Sequence, residues 1–438
     1  MPIMEYNTYT LDNGLRIIHL PSASKVVYCG YQIAVGSRDE EKGEEGLAHF
    51  CEHVTFKGTE RRNSLKIIKE LECVGGDINA FTNKEDTVYY AAVLREHMPK
   101  AIDLLTDIVF HSTYPQTEIE KEVEVICDEI ESYNDSPAEL IYDEFENILF
   151  GGHPLGHNIL GTAEQVRRFT SDDALRFTRK HYRPDNAVLF IYGGEKLPKA
   201  FKSHKLIPNP QKNRTPESHS DNNTDESLKR HDGRDDHNSI TENNNTCRSG
   251  ETEALSSGTF TICRNTHQAH VMIGNKTYNA TDPRRWALYL MNNIIGGPGM
   301  NTRLNIALRE RRGLVYTVDS SMVAYGDTGM WCTYFGCDPA DVKKCLGIVR
   351  RELDRFITKP LSSAQLAAAK RQLKGQLGVA SDNRENFALS FGKSFLHYGS
   401  ERNLDLTFQY IDNVSAEDIR QVASEIFAPE KMTTLIYK

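Results

Sequence analysis

The feature that most constrains this 438-residue chain is an internal repeat. The stretch RPDNAVLFIYGG, which starts at Arg183, resembles APEKMTTLIYK, which starts at Ala428, and their prolines lie 245 positions apart. Pro115 and Pro360, each ahead of a charged helical segment, are separated by the same 245 positions. A repeat of this length predicts two copies of one domain. Coincidence among common strand and helix patterns is the alternative.

A polar stretch separates the two copies. Between positions 209 and 253 the only apolar residues are Leu228, Ile240 and Cys247. Such a segment cannot bury enough surface to offset the entropy that ordering would cost. We therefore expect an N-terminal domain over 1–202, a disordered linker over 203–258, and a C-terminal domain over 259–438.

Each copy mixes strand patterns and helix patterns without strict alternation. An Asn13-Gly14 turn joins two strand-like runs, and VVYCGYQIAVG and TVYYAAVLR follow with β-branched and aromatic residues. Long helical stretches lie between and after these runs. The pattern predicts an α+β fold made twice, each copy a mostly antiparallel sheet with helices packed on one face.

Composition excludes some classes of function. The formal net charge is −9, and no basic run offsets it, which argues against a nucleic-acid-binding protein. No stretch approaches the roughly 18 apolar residues of a membrane span, and the N-terminus lacks the pattern of an export signal. Nine scattered cysteines without a CxxC pair indicate a reducing compartment. We therefore expect a cytoplasmic protein that does not interact with membranes.

The stretch GLAHFCEHVTFKGT, residues 46–59, concentrates metal-binding chemistry in one helical segment. In a helix, His49 and His53 are at i and i+4, so their imidazoles project from one face and can share one Zn²⁺. Glu52 lies beside them, where it can reach an attacking water without being a ligand. The alternative is a chance pair of histidines with a packing or capping role.

A catalytic zinc site takes three protein ligands, so a third donor is needed. The segment EIEKEVEVICDEIES places Glu122 and Glu129 seven positions apart, on one stripe of a helix. A solvated helix face is the ordinary explanation for such carboxylates. Considered together with the two histidines, they become candidates for the metal site.

These residues resemble a known family. The HFCEH core is similar to the inverted HxxEH motif of the pitrilysin/insulinase metallopeptidases, family M16, and the whole stretch closely resembles its mitochondrial processing peptidase branch. The resemblance implies a LuxS/M16-like metalloenzyme fold and a zinc-dependent endopeptidase that acts on unfolded or short peptides. It also implies that His49, His53 and Glu129 bind one zinc per chain. Glu52 is then the general base and Glu122 a supporting acidic residue.

The resemblance extends to residues that would bind the peptide substrate. GGDINAFTNKEDTVYY resembles the family's edge strand, whose backbone pairs with substrate, and it makes Asn79, Ala80, Phe81 and Thr82 candidates. LRERRGLVY resembles the family's Arg/Tyr pair, here Arg309 and Tyr316, which could donate hydrogen bonds to a peptide carbonyl. By local reasoning alone, a turn-to-strand junction, a surface arginine and a core tyrosine remain alternatives.

The length and the second copy bear on assembly. Large single-chain members of the family join four such domains around a chamber, whereas this chain has two. The resemblance therefore implies a homodimer, or a heterodimer with a related subunit, in which the Arg309/Tyr316 pair of one chain serves the zinc of the other. The 245 offset from Glu129 falls on Lys374, and no HxxEH motif occurs after the linker, so we expect no zinc site in the second copy. A non-catalytic, peptide-binding or scaffolding subunit remains the alternative function.

Overall fold

The computed structural model describes residues 5–194, 258–264, 266–400 and 403–438. The predicted linker, 203–258, lies outside the described residues except for Gly258, which begins a strand. Among the described residues, no helix has both the length and the apolar character that crossing a bilayer requires.

The first half forms a six-stranded sheet with the order β1-β2-β6-β3-β5-β4. Its strands are β1 (Asn7–Thr10), β2 (Arg16–Leu20), β3 (Val26–Ile33), β4 (Asp77–Thr82), β5 (Thr87–Leu94) and β6 (Ala187–Tyr192). All neighbouring strands are antiparallel except β2 and β6. The predicted Asn13-Gly14 turn connects β1 to β2, and Gly14 has the positive φ, 88°, that such turns favour. β4 lies at an edge of the sheet.

The described part of the first half contains seven helices: α1 (Leu47–Thr55), α2 (Ser64–Glu72), α3 (Met98–His111), α4 (Gln116–Asn134), α5 (Pro137–Leu149), α6 (Ala163–Val166) and α7 (Ser171–His181). All of them except α5 contribute buried residues to one core on one face of the sheet. Tyr89, Ala91 and Val93 of β5 point into this core, whereas Val88 and Tyr90 point into another core on the opposite face. The continuous apolar run in β5 thus reflects a strand buried on both faces.

The second half forms a five-stranded sheet with the order β7-β11-β8-β10-β9. Its strands are β7 (Gly258–Ile262), β8 (Ala269–Thr277), β9 (Val315–Ala324), β10 (Gly329–Cys337) and β11 (Thr433–Tyr437). Its helices are α8 (Arg285–Gly296), α9 (Val342–Thr358), α10 (Ser363–Ala380), α11 (Arg384–Tyr398), α12 (Leu404–Asn413) and α13 (Ala416–Ile426). The two matched repeat segments form β6 and β11, so the α+β fold made twice is confirmed.

The two halves exchange one helix each. Helix α5 of the first half packs on β8 and β11, where Phe145 joins Met272 and Tyr437 in a shared buried cluster. Helix α11 of the second half packs on β6 and β3, where Phe391 meets Phe190. Each sheet therefore carries its own helices on one face and a helix of the opposite half on the other. Nothing in the sequence patterns predicted this exchange.

Candidate metal centre

A buried carboxylate fixes the first turn of α1, the helix that bears both histidines. Glu40 accepts hydrogen bonds from the Gly46 N–H at 3.0 Å and the Ala48 N–H at 2.7 Å. The first N–H groups of a helix have no acceptor within the helix, and Glu40 supplies one. His157 Nε2 lies 2.9 Å from the same carboxylate. Gly46 has a φ of +97°, and a Cβ there would come within 2.7 Å of the Leu160 carbonyl oxygen, so the position requires glycine.

The structure brings His49, His53 and Glu129 together. The two imidazole centroids on α1 are 4.7 Å apart. Across from them on α4, Glu129 Oε2 lies 3.1 Å from His53 Nε2, and Glu129 Oε1 lies 3.8 Å from His49 Nε2. One donor atom from each residue lies within 4.8 Å of the other two. Two imidazoles and one carboxylate are a donor set of open zinc sites, so these residues fit the metal.

Solvent reaches the cluster from the side of Glu129. The Glu129 side chain is 47% exposed, whereas the His49 side chain is only 10% exposed. Burial, together with the positive charge of His53, lowers the pKa of His49 to about 4. His49 is therefore neutral near pH 7, the form in which an imidazole can donate a lone pair to a metal. Its Nδ1 atom is buried without a hydrogen-bond partner among the described residues.

Glu122 orients His53 from the far side of the ring. Its Oε1 lies 3.1 Å from His53 Nδ1, which leaves Nε2 directed at Glu129. The other oxygen of Glu122 pairs with Lys57 Nζ. Burial would lower the pKa of His53, but the hydrogen bonds to Glu122 and Glu129 raise it to about 9. Burial would raise the pKa of Glu122, but its bonds to His53 and Lys57 lower it instead. A carboxylate that holds the second nitrogen of a ligating histidine is the usual support of a zinc site.

Glu52 is a buried carboxylate next to this cluster. It is 9% exposed, and burial raises its pKa above the usual range of glutamate. Thr82, the last residue of β4, donates a hydrogen bond to Glu52 Oε2 at 2.8 Å. The arrangement places a carboxylate beside the three candidate metal ligands without making it one of them.

The predicted edge strand lies at the edge of the first sheet. Asn79, Ala80, Phe81 and Thr82 belong to β4, which pairs with β5 on one side only. The Ala80 N–H donates to its neighbour Asn79 Oδ1 at 2.9 Å, in an exposed position. The strand also lies beside α1. An extended peptide added to this edge would therefore run close to the histidines.

In the part of the chain that the structure describes, Arg309 and Tyr316 contact each other but form no hydrogen bond or ion pair with the cluster. The Arg309 guanidinium lies 5.7 Å from the centre of the Tyr316 ring, which is 79% exposed. Among the described residues, the ion pair of Arg309 is with Glu310. Arg309 lies in a π-helical turn, Asn305–Glu310, and Gly313 follows with a φ of +59°.

The second half places an ion pair where the repeat would put a third ligand. Lys374, at the 245 offset from Glu129, lies 2.8 Å from Asp412. Within the described ranges, His49, His53 and Glu129 are the one group of three such side chains that could hold a metal.

Sequence reasoning missed three contacts of the site. Lys57 lies two residues after the end of α1, in the turn that follows the helix, so helical periodicity did not indicate that it pairs with Glu122. Nothing in the sequence indicated the hydrogen bond between Thr82 and Glu52 or the support of α1 by Glu40, because these partners lie on separate elements.

Comparison with known families matches both halves of the chain. Residues 17–163 match the sequence model of the insulinase family, peptidase family M16. Residues 168–373 match the model described as the peptidase M16 inactive domain. The first match contains all three metal-binding candidates, and the second contains Arg309 and Tyr316.

Relatives and solved structures cover nearly the whole chain. An uncharacterized zinc protease of Streptomyces coelicolor is 33% identical over 98% of this chain and 88% of its own. An uncharacterized zinc protease of Bacillus subtilis is 30% identical over 98% of this chain and 97% of its own. A crystal structure of a protease from Helicobacter pylori matches with a TM-score of 0.81, 19% identity and 99% coverage of both chains. A peptidase M16 inactive domain structure from Pseudomonas fluorescens also reaches a TM-score of 0.81, at 18% identity, and covers 99% of this chain and 97% of that one.

Proposed function

Because the chain belongs to the insulinase family of peptidases, M16, we propose that it is a zinc-dependent endopeptidase acting on short or unfolded peptides. One observation carries the proposal: two imidazoles and a carboxylate from separate helices converge beside a buried, hydrogen-bonded glutamate. A structural zinc site would need a fourth protein ligand. Within the described residues the group has three.

Each residue of the cluster has a chemical task in this proposal. His49, His53 and Glu129 hold Zn²⁺, which when bound supplies a Lewis acid that activates water and polarises a peptide carbonyl. Glu52 accepts the proton of the attacking water and passes it to the leaving amine. Its raised pKa brings it nearer to neutral pH, where a carboxyl group can both accept and return a proton. Glu122, with Lys57, holds the His53 ring in place.

Substrate binding follows from the position of β4. A peptide that pairs with this edge strand gains main-chain hydrogen bonds without a strong demand on its sequence. Most extended segments of a folded protein already pair within its own sheets, which favours short or unfolded substrates. The exposed Arg309 and Tyr316 are donors suited to a substrate carbonyl.

A two-subunit chamber completes the proposal. Arg309 and Tyr316 lie on the half without metal-binding residues, and among the described residues neither contacts the metal cluster of its own chain. We therefore assign them to the zinc site of a second subunit, in a homodimer or in a heterodimer with a related chain.

The test compares the zinc-loaded wild type with Glu52→Gln on a peptide library, with cleavage sites mapped by mass spectrometry. Glu52→Gln should keep stoichiometric zinc but lose about 10²-fold to 10⁴-fold in kcat/KM, the usual contribution of a general base. Glu60→Gln, which changes an exposed glutamate outside the site, is the control. A wild type that binds zinc and peptides but cleaves none would indicate the non-catalytic subunit instead.

A further inference from the structure

We propose that Thr82 is a positioning residue for peptide hydrolysis: its side-chain hydroxyl holds one oxygen of Glu52 and leaves the other free to accept the proton of water. This inference rests on the proposed peptidase function. It assigns Thr82 a side-chain role that differs from the backbone role expected of an edge-strand residue.

The direction of the Thr82 side chain follows from strand geometry. Side chains alternate between the two faces of a strand. In β4, Ile78 and Ala80 pack against the core that includes α1, whereas Phe81 belongs to the cluster on the opposite face. Thr82 is therefore on the face of Ile78 and Ala80, directed at α1. Its hydroxyl donates to Glu52 Oε2 at 2.8 Å.

The hydroxyl is the one hydrogen-bond donor that the described residues supply to this carboxylate. Glu52 is 9% exposed, so few other donors can reach it. A glutamate side chain otherwise rotates about its last bond, and each rotation exchanges its two oxygens. With Oε2 held by Thr82, Oε1 is the oxygen left free for the water, and the proton transfer begins from one orientation.

The backbone that carries Thr82 is itself fixed. Thr82 pairs with Thr87 across the turn that connects β4 to β5. Inside this turn the Asn83 N–H donates to the Asp86 carbonyl at 2.8 Å, and Asn83 Nδ2 donates to Asp86 Oδ1 at 2.7 Å. The hydroxyl is thus presented from a closed turn and not from a loose loop end.

The experiment compares Thr82→Val with Thr82→Ser, because valine keeps the shape of threonine and serine keeps its hydroxyl. A hydrogen bond to a charged group is strong enough that we expect Thr82→Val to lower kcat about 10-fold to 100-fold. KM and zinc content should stay at wild-type values. Thr82→Ser should restore kcat to within about threefold of wild type.

Thr87→Val is the matched control. Thr87 sits opposite Thr82, and its hydroxyl donates to the Val35 carbonyl at 2.9 Å, away from Glu52. This variant removes a buried hydroxyl from the same strand pair, so it should lower thermal stability at least as much as Thr82→Val but keep kcat. A kcat loss in Thr87→Val equal to that in Thr82→Val would show a general effect of strand damage and overturn the proposal.

A second comparison uses the Glu52→Gln background. Peptide affinity in Glu52→Gln and in Glu52→Gln/Thr82→Val should be equal, because Thr82 acts on catalysis and not on binding.

The proposal is overturned if Thr82→Val keeps the wild-type kcat, loses zinc, or raises KM without lowering kcat. It is also overturned if Thr82→Ser lowers kcat as much as Thr82→Val does. If the zinc-loaded wild type cleaves no peptide, the proposed function and this inference fail together. If the wild type cleaves peptides and Thr82→Val has the same kcat, only this inference fails.

Discussion

At the scale of single residues, His53 is held between two carboxylates of α4. Glu129 faces its Nε2, and Glu122 faces its Nδ1 at equal distances of 3.1 Å. What distinguishes the two is Lys57, which pairs with the free oxygen of Glu122. Lys57 thereby neutralises the Glu122 carboxylate and keeps it beside His53 Nδ1. Glu129, with 47% of its side chain exposed, is left to face the candidate metal position.

Lys57→Met tests this arrangement, since methionine keeps much of the apolar stem and removes the charge. Supporting residues of metal sites contribute about 10-fold to 100-fold to affinity, and we expect a loss of about tenfold in zinc affinity, measured by chelator competition. Lys121→Met is the control, because Lys121 forms an exposed ion pair with Glu118 on the same helix α4. Equal zinc affinity of Lys57→Met and wild type would contradict the role of Lys57.

Part of the site could be predicted from local sequence, and part could not. His49 and His53 share a helix face by their spacing alone, and the acidic helix offered Glu122 and Glu129 as candidates. The pairing of Thr82 with Glu52 joins positions 30 residues apart on different elements. Helical and strand periodicity determine which face a side chain occupies, but not which atoms of another element it meets.

At the scale of elements, the β4–β5 turn is attached to a helix of the other half. Asp86, buried in this turn, lies 3.1 Å from His397 Nε2 and 2.7 Å from Lys393 Nζ, both on α11. Burial would raise the pKa of Asp86, but the partners on α11 and Asn83 lower it to about 2. The exchanged helix thus holds the turn that follows the edge strand.

Asp86→Asn should lower the free energy of unfolding by about 3 kcal/mol near pH 5. This value is the low end of the range for breaking a buried ion pair, and we choose it because the Lys393 side chain is half exposed. The folded-state pKa of about 2 lies below the ordinary aspartate value of 3.8. The stabilisation is therefore complete above about pH 4 and is lost as the pH falls towards 2. Urea unfolding of both proteins between pH 5 and pH 3 measures this.

Asp412→Asn removes an exposed partner of Lys374 and should cost less than about 1 kcal/mol. The proposed contribution of Asp86 would be contradicted if Asp86→Asn lowered the free energy of unfolding no more than Asp412→Asn does. It would also be contradicted if the loss for Asp86→Asn grew as the pH falls.

The elements themselves were largely predictable, whereas their exchange was not. The Asn13-Gly14 turn, the β5 run and the charged helix after Pro115 all occur where the sequence patterns predicted them. Helices α5 and α11 have apolar residues that must be buried. Such a pattern shows that a helix needs a partner surface but cannot show that the partner is the sheet of the other half.

At the scale of the whole molecule, two repeated halves carry different chemistry. The first half carries the candidate metal ligands His49, His53 and Glu129, and the second carries an exposed Arg309/Tyr316 pair and a lysine at the position that corresponds to Glu129. This division is the premise of the proposed chamber, in which the second half of one subunit would serve the first half of the other.

Mixing Glu52→Gln chains with Arg309→Ala chains tests contribution between subunits. Each mutant alone should be nearly inactive. A mixed dimer holds one site with intact Glu52 that faces an intact Arg309, so activity should reappear in proportion to mixed dimers, quantified with two affinity tags. If mixed dimers form and activity stays at the level of the separate mutants, Arg309 does not act on the partner's zinc.

The most direct test of the account compares zinc binding by Glu129→Gln and by the wild type. The zinc content of each dialysed protein is measured by atomic emission spectrometry, and the zinc affinity by chelator competition. The account predicts one zinc per wild-type chain, and for Glu129→Gln an affinity lower by at least about a hundredfold, since even supporting residues contribute up to that much. Glu124→Gln, which alters an exposed glutamate of α4 paired with Arg167, should keep its zinc. A Glu129→Gln chain that retains one zinc at wild-type affinity would contradict the account.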